Sequence, residues 1–252
     1  MYIIKCTSCS FKMELNPSYT LPTKCPVCGS RLELEYIQNI EVYFDGLCEP
    51  RNPGGIATYG FVVYDNRSPS DRVKIHEGYG VVGAGCLGDD VTNNIAEYTA
   101  LIRGLEWLVQ NSLTGKLVEV KGDSQLTIRQ LNGIYAVRSP RIIPLYTRVV
   151  ELVEKFEQIR FFWVPREYNE EADSLSRRAY QEFCNEHRDL VRRYYARYFM
   201  TERQKRYILF LARKKGVKVE ISDFMSKREA SKLIEKLLWT NPTLYSNSTL
   251  HT

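Results

Sequence analysis

The chain has 252 residues, 44% hydrophobic and 26% charged, a composition that excludes disorder and fibrous repeats and allows one good core plus small additions. No apolar run reaches the roughly 18 residues of a membrane helix, and the opening Met1-Tyr2-Ile3-Ile4-Lys5-Cys6 lacks a secretion-signal pattern, so a cytoplasmic protein with no membrane partner is expected. The net charge of +5 is concentrated: from His187 to Lys218 eleven Lys and Arg face two acids, Asp189 and Glu202, as in a basic, nucleic-acid-binding element appended to a near-neutral body.

The first element is cysteine-built. Cys6 and Cys9 form one Cys-x-x-Cys pair, Cys25 and Cys28 a second, with fifteen residues between the pairs. Two residues between thiolates let both sulfurs of a knuckle face one point, and two knuckles complete the tetrahedron that Zn²⁺ prefers. Gly29 follows where a tight turn needs it, and Pro26 stiffens the second knuckle. Residues 1–36 are too few to hold by burial alone, so a structural zinc would supply their folding free energy. Two disulfides or redox pairs are the alternative, disfavoured in an intracellular chain. Cys48, Cys86 and Cys184 read as small apolar core residues.

From Ile40 the pattern turns to alternating strands, at 41–45, at 60–64 and around 73–81, with turn chemistry at Asn52-Pro53-Gly54-Gly55 and Asn66-Arg67-Ser68-Pro69. Ile95, Tyr98, Ile102, Leu105 and Val109 then recur at helical spacing, with Thr92 or Asn93 placed to cap. A strand at 117–121, helices at 124–131 and 142–156, a strand at 159–164 and a helix at 170–186 follow. The order β-β-β-α-β-α-α-β-α implies an α/β fold, a mixed sheet with helices on its faces.

Four acids sit at element ends: Asp45, Glu97, Asp123 and Asp173. Singly each reads as a turn former or a helix N-terminal charge. Together at strand ends they could converge, where divalent cations would turn mutual repulsion into ligation, and a hard oxygen set favours Mg²⁺ or Mn²⁺.

Tyr43-Phe44-Asp45-Gly46, Thr92-Asn93-Asn94-Ile95-Ala96-Glu97-Tyr98, Gly122-Asp123-Ser124-Gln125-Leu126 and Asn169-Glu170-Glu171-Ala172-Asp173-Ser174-Leu175-Ser176-Arg177 closely resemble, in order, the four signature blocks of type 1 ribonuclease H, in its compact archaeal-type form. The resemblance covers about residues 38–185. It implies a ribonuclease H-like five-stranded mixed sheet flanked by helices, and endonucleolytic hydrolysis of the RNA strand of RNA–DNA hybrids. By residue match, Asp45, Glu97, Asp123 and Asp173 would be the metal-binding catalytic acids. In such a site two Mg²⁺ ions roughly 4 Å apart neutralise the phosphodiester and activate water. Asp45 would bridge both ions, Glu97 and Asp123 would hold the one beside the attacking water, and Asp173 would complete the other, leaving 5′-phosphate and 3′-hydroxyl ends. Cys48, Asn52, Asn93, Asn94 and Gln125 would lie near the minor groove, where the 2′-hydroxyl marks RNA. The flexible-loop His of many members is missing, with Arg166 and Glu167 as candidates for its place, and 125–142 is too short for a basic handle.

The resulting division is a zinc ribbon at 1–36, a catalytic domain at 38–186, a basic helical extension at 187–240 and a flexible tail at 241–252. In the extension Thr201 with Gln204, and Ser226 with Glu229, form capping boxes, and basic residues interleave with tyrosines that either stack on bases or pack the helices. The extension is expected to tighten nucleic-acid binding without joining the chemistry. A monomer acting on RNA–DNA hybrid is expected, with double-stranded RNA as a second candidate substrate; the rival is a hybrid-binding adaptor that has lost turnover.

Overall fold

The computed structural model describes residues 2–14 and 22–239; the tail expected at 241–252 lies outside them. Two sheets organise the chain. The smaller is antiparallel, with β1 (Tyr2–Cys6) between β2 (Lys12–Glu14) and β3 (Leu32–Tyr36). Its apolar burial is slight, Ile3 and Ile4 with Cys6 and Cys25.

The larger sheet has the order β6-β5-β4-β7-β8, from β4 (Asn39–Glu49), β5 (Ile56–Ser68), β6 (Asp71–Ala84), β7 (Leu117–Gly122) and β8 (Gln158–Trp163). β4, β5 and β6 form an antiparallel meander; β7 and β8 then add in parallel beyond β4. A parallel neighbour needs a crossover, and these are α1 (Asn93–Gln110), then α2 (Gln125–Leu131) with α3 (Ile143–Val153). The ribonuclease H-like five-stranded mixed sheet flanked by helices that the motifs imply is present.

Alternation along β4 divides the core. Ile40, Val42 and Phe44 face α1 and α3, meeting Leu101, Leu105, Leu108, Val149 and Leu152. Tyr43 lies in the cluster on the opposite face, with Leu175 of α4 (Glu170–Glu186). Gly60 makes α4's approach possible, because a Cβ there would lie 2.5 Å from the Ala172 carbonyl oxygen and 2.6 Å from Ser176 N. None of the described helices is long and apolar enough to cross a membrane.

The C-terminal elements are α5 (Arg188–Tyr195), a 3-10 turn (Ala196–Tyr198), α6 (Glu202–Lys215) and α7 (Lys227–Trp239). α6 and α7 pair through Ile208, Leu211, Ala230 and Leu237. The extension packs on the body of the large sheet. Val191, Tyr195, Phe199 and Phe224 share one buried cluster with Leu47 of β4, Ile56 of β5 and Tyr180 and Phe183 of α4. Tyr195, fully buried, donates its hydroxyl to Gly54 O at 3.1 Å, so that tyrosine packs rather than stacks on bases. Burying a large apolar side chain contributes about 1.5–3 kcal/mol. A chain ended after Glu186 is therefore expected to melt lower by roughly 10 °C or more, read by thermal denaturation; an unchanged melting temperature would show the extension to be separable.

Candidate active site

Backbone register gathers the acids. In the parallel pairing of β4 with β7, Phe44 lies opposite Gly122, so the next residue along each strand, Asp45 and Asp123, emerges side by side at the same end. Asp45 lies inside β4 rather than at its end, because the ladder to β5 continues through Glu49. Gly46 brings in the third acid: a Cβ there would sit 2.2 Å from Glu97 N, so only a glycine lets the first turn of α1 rest on β4. Thr92 supplies the cap, its hydroxyl accepting from Ile95 N at 3.3 Å.

One carboxylate oxygen from each of Asp45, Glu97 and Asp123 lies within 4.8 Å of the others. Asp45 is 5% and Glu97 4% exposed. Burial, with Asp173 and Asp123 nearby, pushes the Asp45 carboxyl up to about 7, although Ser176 donates to its Oδ2 at 2.5 Å. Burial and then the charges of Asp45 and Asp123 hold Glu97 well above the usual range. Glu97 Oε1 accepts from Asn93 Nδ2 at 3.3 Å, whereas Oε2 is buried without a hydrogen-bond partner. Buried carboxylates left short of donors cost free energy, and a hard divalent cation removes that cost. The donor set therefore fits Mg²⁺ or Mn²⁺.

Asp173 departs from the expected convergence. It lines the same cleft but is absent from the cluster of three, because two guanidiniums hold it: Arg166 pairs with Oδ1, and Arg177, one turn further along α4, donates to Oδ2 at 2.8 Å. Both of its oxygens are thus engaged by side chains, although its charge still helps to raise Asp45.

Of the candidate substrate residues, Cys48, Asn52, Asn93, Asn94 and Arg166 line this cleft of about 680 Å³, whereas Gln125 does not, nor does Glu167, the other candidate for the place of the missing His. Asn52 Oδ1 accepts from Asn93 N at 3.0 Å, joining the β4–β5 loop to α1. Cys48 is buried and donates to Arg51 O at 3.3 Å; desolvation pushes its thiol up to about 11.

Sequence reasoning missed several residues. Asn169, buried, donates Nδ2 to Phe44 O at 2.9 Å and to Asp123 Oδ1 at 3.3 Å, so it orients Asp123 from the start of α4. Its place inside the fourth motif was the available signal. Glu49, Arg228, Glu229 and Lys232 also line the cleft, and nothing local in the sequence places α7 there.

The four cysteines form a separate candidate metal centre, with sulfurs within 4.8 Å of one another. Cys6 Sγ lies 3.4 Å from Cys28 Sγ, and Cys9 Sγ 3.6 Å from Cys25 Sγ; a tetrahedron with zinc–sulfur bonds of about 2.3 Å has edges of about 3.8 Å. Ser8 N and Val27 N donate to Cys6 Sγ and Cys25 Sγ at 3.3 and 3.4 Å, as thiolates invite. No disulfide joins these cysteines. The set fits zinc. The centre lies at the opposite end of the large sheet from the acids: Tyr36 donates to Asn66 O at the far end of β5, and Arg160 pairs with Glu14.

A model of the family described as "Reverse transcriptase-like" matches residues 45–179. The bifunctional protein Rv2228c of Mycobacterium tuberculosis is 34% identical over 125 residues, 50% of this chain and 31% of that protein. Ribonuclease HI of Halobacterium salinarum is 34% identical over 140 residues, 56% of this chain and 63% of that protein. The chain thus spans about a third of the first relative and less than two thirds of the second. Among solved structures, RNase H1 from Halobacterium salinarum is 33% identical, with 57% of this chain and 98% of that chain covered and a TM-score of 0.48. LC11-RNase H1, solved in complex with RNA/DNA hybrid, is 34% identical, with 56% and 95% covered and a TM-score of 0.48. Because the family model spans more than half of its residues and all four acids, the chain belongs to the reverse transcriptase-like family, and its central domain is ribonuclease H-like.

Proposed function

We propose that the protein is an endoribonuclease that hydrolyses the RNA strand of RNA–DNA hybrids with two divalent cations, leaving 5′-phosphate and 3′-hydroxyl ends. The observation that carries this reading is the meeting of Asp45, Glu97 and Asp123 on the floor of an open cleft, two of them buried and one with an unpartnered oxygen. A relative 34% identical bears the name ribonuclease HI. Bound Mg²⁺ or Mn²⁺ would neutralise the phosphodiester, lower the pKa of water and offset charge on the departing oxygen.

The chain's own residues do the rest. Asp45, buried like Glu97, would contribute to both ions, Glu97 and Asp123 to one of them and Asp173 to the other. Ser176 and Asn169 fix the rotamers of Asp45 and Asp123, as ligands need for a set geometry. Arg166 and Arg177 each engage one oxygen of Asp173, which leaves a second lone pair on each for a cation. Cys48, Asn52, Asn93 and Asn94, on the wall beside Glu97, are placed to meet sugars and base edges, where the 2′-hydroxyl separates RNA from DNA.

The test is metal-dependent cutting of end-labelled RNA–DNA hybrid, DNA duplex and RNA duplex. Cleavage confined to RNA-containing substrates and abolished by EDTA is expected. Hybrid bound but uncut at every Mg²⁺ and Mn²⁺ concentration would leave a binding adaptor instead.

A further inference from the structure

The family match ends at residue 179, yet the cleft has a wall beyond it. Arg228, Glu229 and Lys232, all on α7, line the same cleft as Asp45 and Asp123. α7 is fixed there by several contacts. Arg228 Nη2 meets Glu49 Oε1 at 2.6 Å, and the Glu49 side chain is 3% exposed. Glu229 Oε1 accepts from Arg177 Nη1 at 2.5 Å, while Oε2 accepts from Ser226 N and Oγ at 3.0 and 3.1 Å. Just before the helix, Tyr180 donates to Phe224 O at 3.0 Å. These contacts tie α7 to β4 and α4.

Four cations line the cleft, Arg166, Arg177, Arg228 and Lys232. The first two answer Asp173 and the third answers Glu49. Among the described residues Lys232, exposed on α7, has no carboxylate partner. A polynucleotide carries a phosphate at every nucleotide, so a strand with one phosphate over the acids presents its neighbours to the cleft walls. An ammonium without a counter-ion on such a wall gains Coulomb energy there and releases a condensed cation from the strand.

We infer that α7 is a substrate wall of the cleft: Lys232 takes a backbone phosphate of the strand lying across the acids, and Arg228, through Glu49, fixes the helix for that contact. This rests on the nuclease reading above and adds to it, because it places the C-terminal helices inside the substrate path instead of on a separate grip. No residue of the basic run at 187–218 lines the cleft, and two of its arginines, Arg188 and Arg192, pair with Asp223.

The test uses the full-length chain. In an Asp45→Asn background, which holds off cutting, binding of a fluorescein-labelled RNA–DNA hybrid is followed by anisotropy in Mg²⁺ from 50 to 200 mM KCl. Lys232→Ala should weaken binding about fivefold and lower the slope of log Kd against log salt by about 1. Lys214→Ala, exposed at the end of α6 outside the cleft, should change neither. On the wild-type background Lys232→Ala should raise KM with kcat within about twofold, at an unchanged melting temperature. Equal Kd and slope for Lys232→Ala and its parent, or an equal loss in Lys214→Ala, would overturn the proposal. Hybrid left uncut by a chain whose binding still depends on Lys232 would sink the nuclease reading and leave the wall standing.

Discussion

Replacing Asp45 by Asn is expected to lower hybrid cleavage by on the order of 10³-fold, about 4 kcal/mol of transition-state stabilisation, and at the same time to make the metal-free protein more stable. Both effects come from one feature. Asp45 is buried beside Asp123 and Asp173, and its carboxyl is pushed from an ordinary 3.8 to about 7. Between those values the folded chain keeps a proton that the unfolded chain has released, so this group's contribution to stability is complete below about pH 4 and is lost as pH rises through 7. An amide carries no such liability and can still accept from Ser176 Oγ. The full shift would correspond to about 4 kcal/mol; because Glu97 shares the burden, about 2 kcal/mol is expected, a rise of roughly 4–8 °C. The gain should be large at pH 8 in EDTA, small at pH 5, and largely cancelled by Mg²⁺, which stabilises the wild type by binding the ionised acids. Thermal melts at the two pH values with EDTA or Mg²⁺ measure it. A stability gain equal at pH 5 and pH 8 would remove carboxylate repulsion as its cause, and retained cutting would remove Asp45 from the chemistry.

The meeting of Asp45, Glu97 and Asp123 was legible through the four motif blocks taken together, since the three acids lie far apart in sequence and Asp45 sits inside β4 and not at its end. Thr92 as a cap and the capping boxes of Thr201 with Gln204 and Ser226 with Glu229 were legible because their determinants are local. Strand ends were less so, since β4 and β6 continue only because β5 offers ladder partners beyond their alternating centres. The state of Asp173 was half legible. Arg177 lies four residues on, an ordinary helix ion pair, but Arg166 reaches it only through the turn before α4. The position of α7 was not legible at all. It depends on Phe199 and Phe224 packing against Leu47 and Ile56, contacts more than 140 residues apart in sequence, and no periodicity reports which surface a helix will choose.

Removing the metal from the cysteine centre is expected to unfold β1, β2 and β3 while leaving the large sheet and its cleft intact. The small sheet has little else to hold it: its buried apolar side chains are Ile3 and Ile4, and the remaining burial is the ligands themselves, Cys6 and Cys25. A few kcal/mol of burial cannot offset the ordering of some thirty residues at about 1–2 kcal/mol each, whereas four-thiolate zinc binding supplies about 10–16 kcal/mol. Cys25→Ala should therefore lower zinc content from one ion per chain to none and collapse amide protection throughout β1 and β3, as read by hydrogen exchange. The Ile40, Val42 and Phe44 ladder should keep its protection, because its core is formed with α1 and α3. Hybrid cleavage should persist within a few-fold, since no ribbon residue lines the cleft. Protected β1 and β3 amides in the metal-free variant would mean that the sheet folds by contacts alone. Loss of cleavage with an intact large sheet would mean that the ribbon, joined to the far end of that sheet by Tyr36 and by the Glu14–Arg160 pair, reaches the substrate beyond the cleft.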